Sequence, residues 1–173
     1  MTAADRISSR LTAPLVSVVL PAWNAAHTLG ATLQSLLEQH PAQGAPLPEF
    51  EIIVADDGST DGTRELLKYW ANPARCGHRL RTLHLPHGGI VSALNAGLAV
   101  ARGSFIARMD ADDTAQPLRI ATQTAHLFNN PQLSVSATCV AFGGDRATAH
   151  GFAHFVDWQN SLLTHDQISR ARF

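Results

Sequence analysis

The 173-residue chain is 45% hydrophobic and 16% charged, the balance of a soluble globular protein of one domain, and its formal net charge is -1. Near-neutrality provides no electrostatic footprint for nucleic acid or an anionic membrane, so no nucleic-acid partner is expected. Cys76 and Cys139 lie far apart without a CxxC, which argues against a disulfide framework or a cysteine zinc site and fits a reducing cytoplasm.

In chain order, residues 1–14 read as a flexible N-terminus. MTAADRISSRLTAP lacks the apolar core of a signal peptide, and no later stretch is long enough to span a bilayer. Any membrane contact is expected to be peripheral, at the inner face. Val16 to Leu20 is short, β-branched and closed by Pro21, which predicts a buried strand ending in a loop. Leu29, Leu33, Leu36 and Leu37 then share one helix face, and the Pro/Ala-rich segment 41–48 ends that helix. The pattern repeats with Phe50 to Ala55 as a strand, Asp57-Gly58-Ser59-Thr60 as a turn, and Asp61 capping a helix to about Trp70. A third unit has Leu80 to Leu85 as a strand, His87-Gly88-Gly89 as a loop, and Ile90, Leu94 and Leu98 on one helix face that Gly103 ends.

Ser104 to Met109 reads as a fourth strand, running into Asp110-Ala111-Asp112-Asp113. Pro117 suits the first turn of another helix, whose Ile120, Thr124, Leu127 and Phe128 share a face until Asn130-Pro131. Leu133, Val135, Ala137 and Cys139 alternate with polar residues, as in a half-exposed strand. Beyond Gly143, Phe152, Phe155, Trp158, Leu162 and Leu163 show no strand period. Residues 15–143 are therefore expected as the main domain and 144–173 as an apolar helical tail.

Strands alternating with helices of about ten residues predict an α/β fold: a Rossmann-like, mainly parallel sheet with helices on both faces. Such folds bind ligands beyond the carboxyl ends of their strands. Three polar clusters fall there, Trp23-Asn24, Asp56-Asp57 and Asp110 to Asp113, and parallel strands bring them to one rim. A site with at least two carboxylates and an aromatic wall follows. In an extended segment i and i+2 point the same way, so Asp110 and Asp112 can face one ligand while Ala111 turns into the sheet. Paired hard oxygens suit Mg2+ or Mn2+ bridging a diphosphate. A strand-end turn, with Asp113 or Thr114 capping the next helix, accounts for the same residues. Taken alone, Asp57-Gly58-Ser59 is a turn signal and Trp23 a packing residue.

Other chemistry does not assemble. His150 and His154 lie four apart, but Gly151 weakens a helix and no third zinc ligand is evident. No Ser/His/Asp or Cys/His set forms, His84 and His87 read as loop neighbours, and Gly88-Gly89 lacks the GxGxxG order of a dinucleotide fold.

The runs VSVVLPAWN, EIIVADDGSTDGT and GGIVSALNAGLAVARGSFIARMDADD, continuing through Pro117, Arg119, Gln123 and Pro131, resemble the N-terminal half of family 2 glycosyltransferases over roughly residues 16–143. The order and spacing of the clusters carry the resemblance. It implies a GT-A fold that transfers sugar from a nucleotide-diphosphate donor, a UDP-sugar favoured, to a saccharide or other hydroxyl acceptor, with Mn2+ or Mg2+ as cofactor. By position it implies that Trp23 stacks on the nucleobase and Asp57 hydrogen-bonds its polar edge, while Asp56 orders the turn. Asp112 and Asp110 match the DxD motif, Asp112 as the direct metal ligand and Asp110 nearer the ribose. Pro21, Ala22, Asn24 and Asn95 complete the nucleotide set.

Leu94 departs from the pattern, standing where many relatives carry a basic residue that His87 or Arg108 could replace. The acceptor-side base has no counterpart before Phe173. Asp157 is the best remaining carboxylate but lacks the expected acidic neighbour. A truncated GT-A domain with no assigned catalytic residue is thus expected, its apolar tail a face through which a homodimer could form. The competing reading is a non-catalytic nucleotide-binding or interaction module on the same fold. A nucleotidyltransferase would need a Gly-rich basic phosphate loop that Pro21 to Thr28 does not supply.

Overall fold

The computed structural model describes residues 15–171, so the segment 1–14 lies outside the described residues. Strands β1 (Val16–Ala22), β2 (Phe50–Asp56), β3 (Leu80–His84) and β4 (Phe105–Arg108) form one sheet in the order β3-β2-β1-β4. All three pairings are parallel, because helices make the returns: α1 (Leu29–Leu37), α2 (Thr63–Trp70) with the short α3 (Pro73–Cys76), and α4 (Ile90–Val100). Every residue of the central β1 and β2 is buried, while β3 and β4 at the edges are partly exposed. Continuous apolar runs go where both faces of a strand are covered.

One face of the sheet, through Val16, Val18, Leu20, Ile52 and Val54, packs on Leu29, Leu33 and Leu36 of α1 and Leu67 of α2. On the other face lies α4, and here the helix face differs from the predicted one. Ala93 and Gly97 are buried, whereas Ile90 and Leu98 are exposed. The backbones meet so closely that a Cβ on Gly97 would lie 2.6 Å from Val19 Cγ1. Small residues, not large ones, therefore make this contact.

The end of β4 leads through a loop to α5 (Arg119–Asn129). Leu118 holds its N-cap position without a side-chain cap, so neither Asp113 nor Thr114 caps it, and Pro117 sits in the preceding turn. Ile120 and Ala121 are its buried residues; Phe128, expected inside, is 71% exposed. At α2 the N-cap residue is Gly62, one beyond Asp61, whose carboxylate accepts from Thr63 N at 3.0 Å. The helix α3 escaped prediction because four residues carry no period, although Asn72 caps it through Ala74 N with Pro73 following.

The chain divides into two compact units, Met1–Gln132 and Leu133–Phe173. No strand forms over residues 133–139. Alternation needs a neighbouring strand to become a ladder. Within this second unit lie α6 (His150–Ser161) and α7 (His165–Arg170), the latter opened by a Thr164–Gln167 capping box. The Asn160 amide brackets Val140 by accepting from its N–H and donating to its carbonyl, at 2.9 and 2.7 Å.

Candidate active site

The carboxyl ends of β1, β2 and β4 open into one cleft of about 650 Å3, within the range of ligand pockets. Pro21, Ala22, Trp23, Asn24, Asp57, Asp110 and Asp112 all line it, joined by Thr28, His87, Gly89 and Ile90. Asn95 stands on α4, exposed, and is not part of the lining. His84 ends β3 and is not a loop residue.

Trp23 is 57% exposed and stacks on His87, ring centroids 4.8 Å apart and 23° from parallel. His87 is placed by Asp57. The Asp57 carboxylate accepts from Gly88 N and Gly89 N, both at 2.8 Å, and lies 2.9 Å from His87 Nδ1. Gly58 permits this approach: its φ is +73°, and a Cβ there would stand 2.7 Å from His87 N. Asn24, itself at φ 51°, braces the first loop to the second, donating its N–H to Ser59 Oγ and accepting from Thr60 N, each at 2.9 Å.

Asp56, the last residue of β2, has a fully buried side chain that accepts from Ser59 N at 3.0 Å and Arg64 Nε at 2.8 Å, with His84 Nδ1 at 3.2 Å. Burial pushes its pKa up, but the hydrogen bonds from Ser59, Arg64 and His84 outweigh that and hold it below the ordinary value. Asp56 is thereby occupied in ordering the turn that carries Asp57.

Asp110 and Asp112 reach the same cleft through a turn, closed by Asp113 N on Asp110 O at 3.3 Å, and not through strand alternation. Ala111 packs on the core while also lining the cleft. Arg108 holds Asp110, its Nη2 lying 2.8 and 3.0 Å from the two carboxylate oxygens. Asp112 is exposed and has no hydrogen bond or ion pair among the described residues. Asp113 has a raised pKa, from burial first and then from the negative charges of Asp112 and Asp110.

Two devices missed at the sequence level hold this acidic turn. Arg119 donates Nη2 to Arg108 O at 2.9 Å and Nε to Gln123 Oε1 at 3.0 Å, and its Nη1 lies 2.9 Å from Met109 S; burial lowers its pKa. Along α1 and just past its end, Thr32, Ser35 and Gln39 grip the following loop. Thr32 Oγ1 donates to Ala111 O, Ser35 Oγ accepts from Ala115 N, and the Gln39 amide donates to Gln116 O and accepts from Ile120 N, at 2.8–2.9 Å. Their i, i+3, i+7 spacing beside an apolar stripe was the legible signal.

In the second unit, His150 and His154 both stand on α6 with their Nε2 atoms 3.2 Å apart. No group of three metal-ligating side chains forms among the described residues. Asp157 is tied to Arg146, and that hydrogen bond holds its pKa below the ordinary value.

The model of glycosyl transferase family 2 matches residues 17–171. The chain belongs to glycosyltransferase family 2. It is 37% identical to the chondroitin synthase of Pasteurella multocida over 106 residues, 60% of this chain and 10% of that protein. Among solved structures it is similar to S. aureus TarS in complex with UDP-GlcNAc, at a TM-score of 0.57 and 26% identity, covering 67% of this chain and 32% of that one. It is also similar to the mannosyltransferase PcManGT of Pyrobaculum calidifontis in complex with GDP-Man and Mn2+, at a TM-score of 0.55 and 29% identity, covering 66% and 32%. The family 2 chain thus shares the GT-A fold and spans about a third of the length of these two structures. Among the described residues no helix is long and apolar enough to cross a membrane.

Proposed function

We propose that this chain carries the donor half-site of a metal-dependent glycosyltransferase, which moves a sugar from a nucleotide-diphosphate sugar, a UDP-sugar first, to a saccharide or other hydroxyl acceptor. The observation that carries the reading is the convergence of Trp23, Asp57, Asp110 and Asp112 on one cleft of a family 2 chain. UDP-GlcNAc in TarS and GDP-Man with Mn2+ in PcManGT support a nucleotide-sugar donor.

The donor set fits a hard cation. Asp112 offers an unengaged carboxylate in the cleft, Asp110 a second behind Arg108, and phosphate and water oxygens would fill the remaining positions of Mg2+ or Mn2+. A cation bound there supplies stabilisation of the charge that grows on the departing diphosphate. The chain's own groups do the rest of the binding: Trp23 offers a ring face to the nucleobase. Asp57 presents to the base's polar edge the acceptor capacity that His87, Gly88 and Gly89 leave. Asp110 serves the ribose, with Pro21, Ala22 and Asn24 along the pocket wall and Asn95 farther along α4. No residue is proposed as catalytic base: Asp157, the carboxylate considered for it, is tied to Arg146 and lacks an acidic neighbour. Placement in the cytoplasm, peripheral to a membrane, belongs to the same proposal, as does a homodimer through the exposed Phe152, Phe155 and Trp158 of α6.

The test is calorimetric titration with UDP, GDP, UDP-GlcNAc and GDP-mannose, each with Mn2+, with Mg2+ and with chelator, alongside a donor-hydrolysis assay. Cation-dependent binding of one nucleotide class supports the reading. Binding indifferent to chelator, or none to any of the four, counts against it.

A further inference from the structure

We propose that Arg108 is an exchangeable counter-ion: it neutralises Asp110 while the cleft is empty, releases that carboxylate when a divalent cation enters, and then pairs with the diphosphate. This rests on the donor-site reading above and assigns a role that the motif residues do not cover.

Arg108 and Arg119 flank the acidic turn and are held in opposite ways. Each nitrogen of Arg119 has a partner, and its contacts clamp the backbone of β4 to α5. The Arg108 side chain hydrogen-bonds Asp110 alone among the described residues, through the single nitrogen Nη2, which reaches both carboxylate oxygens. That is a looser grip than the two-nitrogen fork by which arginine binds a carboxylate most firmly. Both partners are solvent-accessible, at 58% and 38% of the side chain, so the pair is of the weak, exposed kind. One arginine is built into the fold, and the other is free to exchange.

The need for such a charge follows from the turn. Asp110, Asp112 and Asp113 fall within four residues, and like charges so close repel. A divalent cation beside Asp112 and Asp110 competes with the guanidinium for the negative charge of Asp110. Once displaced, a guanidinium tethered two residues from Asp110 has its planar donors available to a phosphate oxygen.

Removing the guanidinium should therefore move two affinities in opposite directions, which loss of a structural contact would not do. Free Mn2+ is measured by electron paramagnetic resonance, and UDP and GDP binding at saturating Mn2+ by calorimetry, for wild type, Arg108→Gln and Arg108→Lys with matched melting temperatures. Arg108→Gln should bind Mn2+ alone about two- to fivefold more tightly and the preferred diphosphate about fivefold more weakly, with Arg108→Lys between it and wild type. Unchanged or weaker Mn2+ binding by Arg108→Gln, with wild type still binding metal and nucleotide, overturns the exchange and leaves the donor site standing. A wild type that binds neither Mn2+ nor nucleotide overturns both.

Discussion

Glu51 and Asp112 are carboxylates at opposite ends of one parallel sheet, and they differ in everything except charge. Glu51 lies near the start of β2 with its side chain 3% exposed. One oxygen accepts from Ser17 Oγ at 2.8 Å and Arg102 N at 2.9 Å; the other accepts from Arg102 Nε and Nη2 and from Arg81 Nη1 at 2.8–3.3 Å. Arg81 also donates to Val100 O, so this network ties the end of α4 to the sheet. Asp112, past the end of β4, has none of these partners. A buried charge is tolerated only when its lone pairs are occupied, and a carboxylate left open on a cleft remains available to a ligand. Glu51 is bound into the fold, and Asp112 is left open on the cleft.

The largest effect that separates the two ends should come from Glu51→Ala, which leaves Arg102 and Ser17 without their acceptor. About 3 kcal/mol of stability is expected to go, the outer arginines being partly hydrated. Urea unfolding reads it, and the nucleotide affinity of the folded fraction should stay at the wild-type value; a matching loss of affinity would mean that the ends are coupled. Gly97→Val tests the α4 face between them. With only 2.6 Å from an added Cβ to Val19, overpacking should cost about 2 kcal/mol in a thermal melt, and a change below about 0.5 kcal/mol would show that α4 stands off the sheet.

Trp23→Ala belongs to the open end. It should weaken nucleotide binding by about five- to thirtyfold while the melting temperature stays put, because the ring is mostly exposed. A large stability loss would return Trp23 to the packing role. The smallest effect is acid sensitivity. Glu51 is pushed up by burial but held lower overall by Arg102 and Ser17, and Asp56 is likewise depressed. Depressed carboxylates stabilise the fold above their unfolded values, near pH 4, and that contribution fades as pH falls through the lower folded values. Glu51→Gln should flatten the stability curve below about pH 4; an unchanged slope would place the acid-sensitive charge elsewhere.

Strands β1, β2 and β4 and the cleft they open were legible because polar clusters interrupt buried apolar runs where parallel strands end. Apart from the short α3, the missed features share a cause: each depends on a neighbour distant in sequence. Residues 133–139 alternate in sequence yet form no strand. Ile90 and Leu98 read as a core face until Gly97 meets Val19. His87 becomes part of the cleft only when Asp57 draws its loop in. Glu51 looks like the polar start of a strand, and nothing nearby announces Arg102, 51 residues away.

The most direct test is to titrate the preferred nucleoside diphosphate into wild type and Asp112→Asn, with Mn2+ and with chelator, at matched melting temperatures. Asp112→Asn is expected to lose at least about tenfold of the affinity that depends on metal, to keep what survives chelator, and to melt with wild type. Metal-dependent affinity left intact, or a melt several degrees lower, would contradict that expectation.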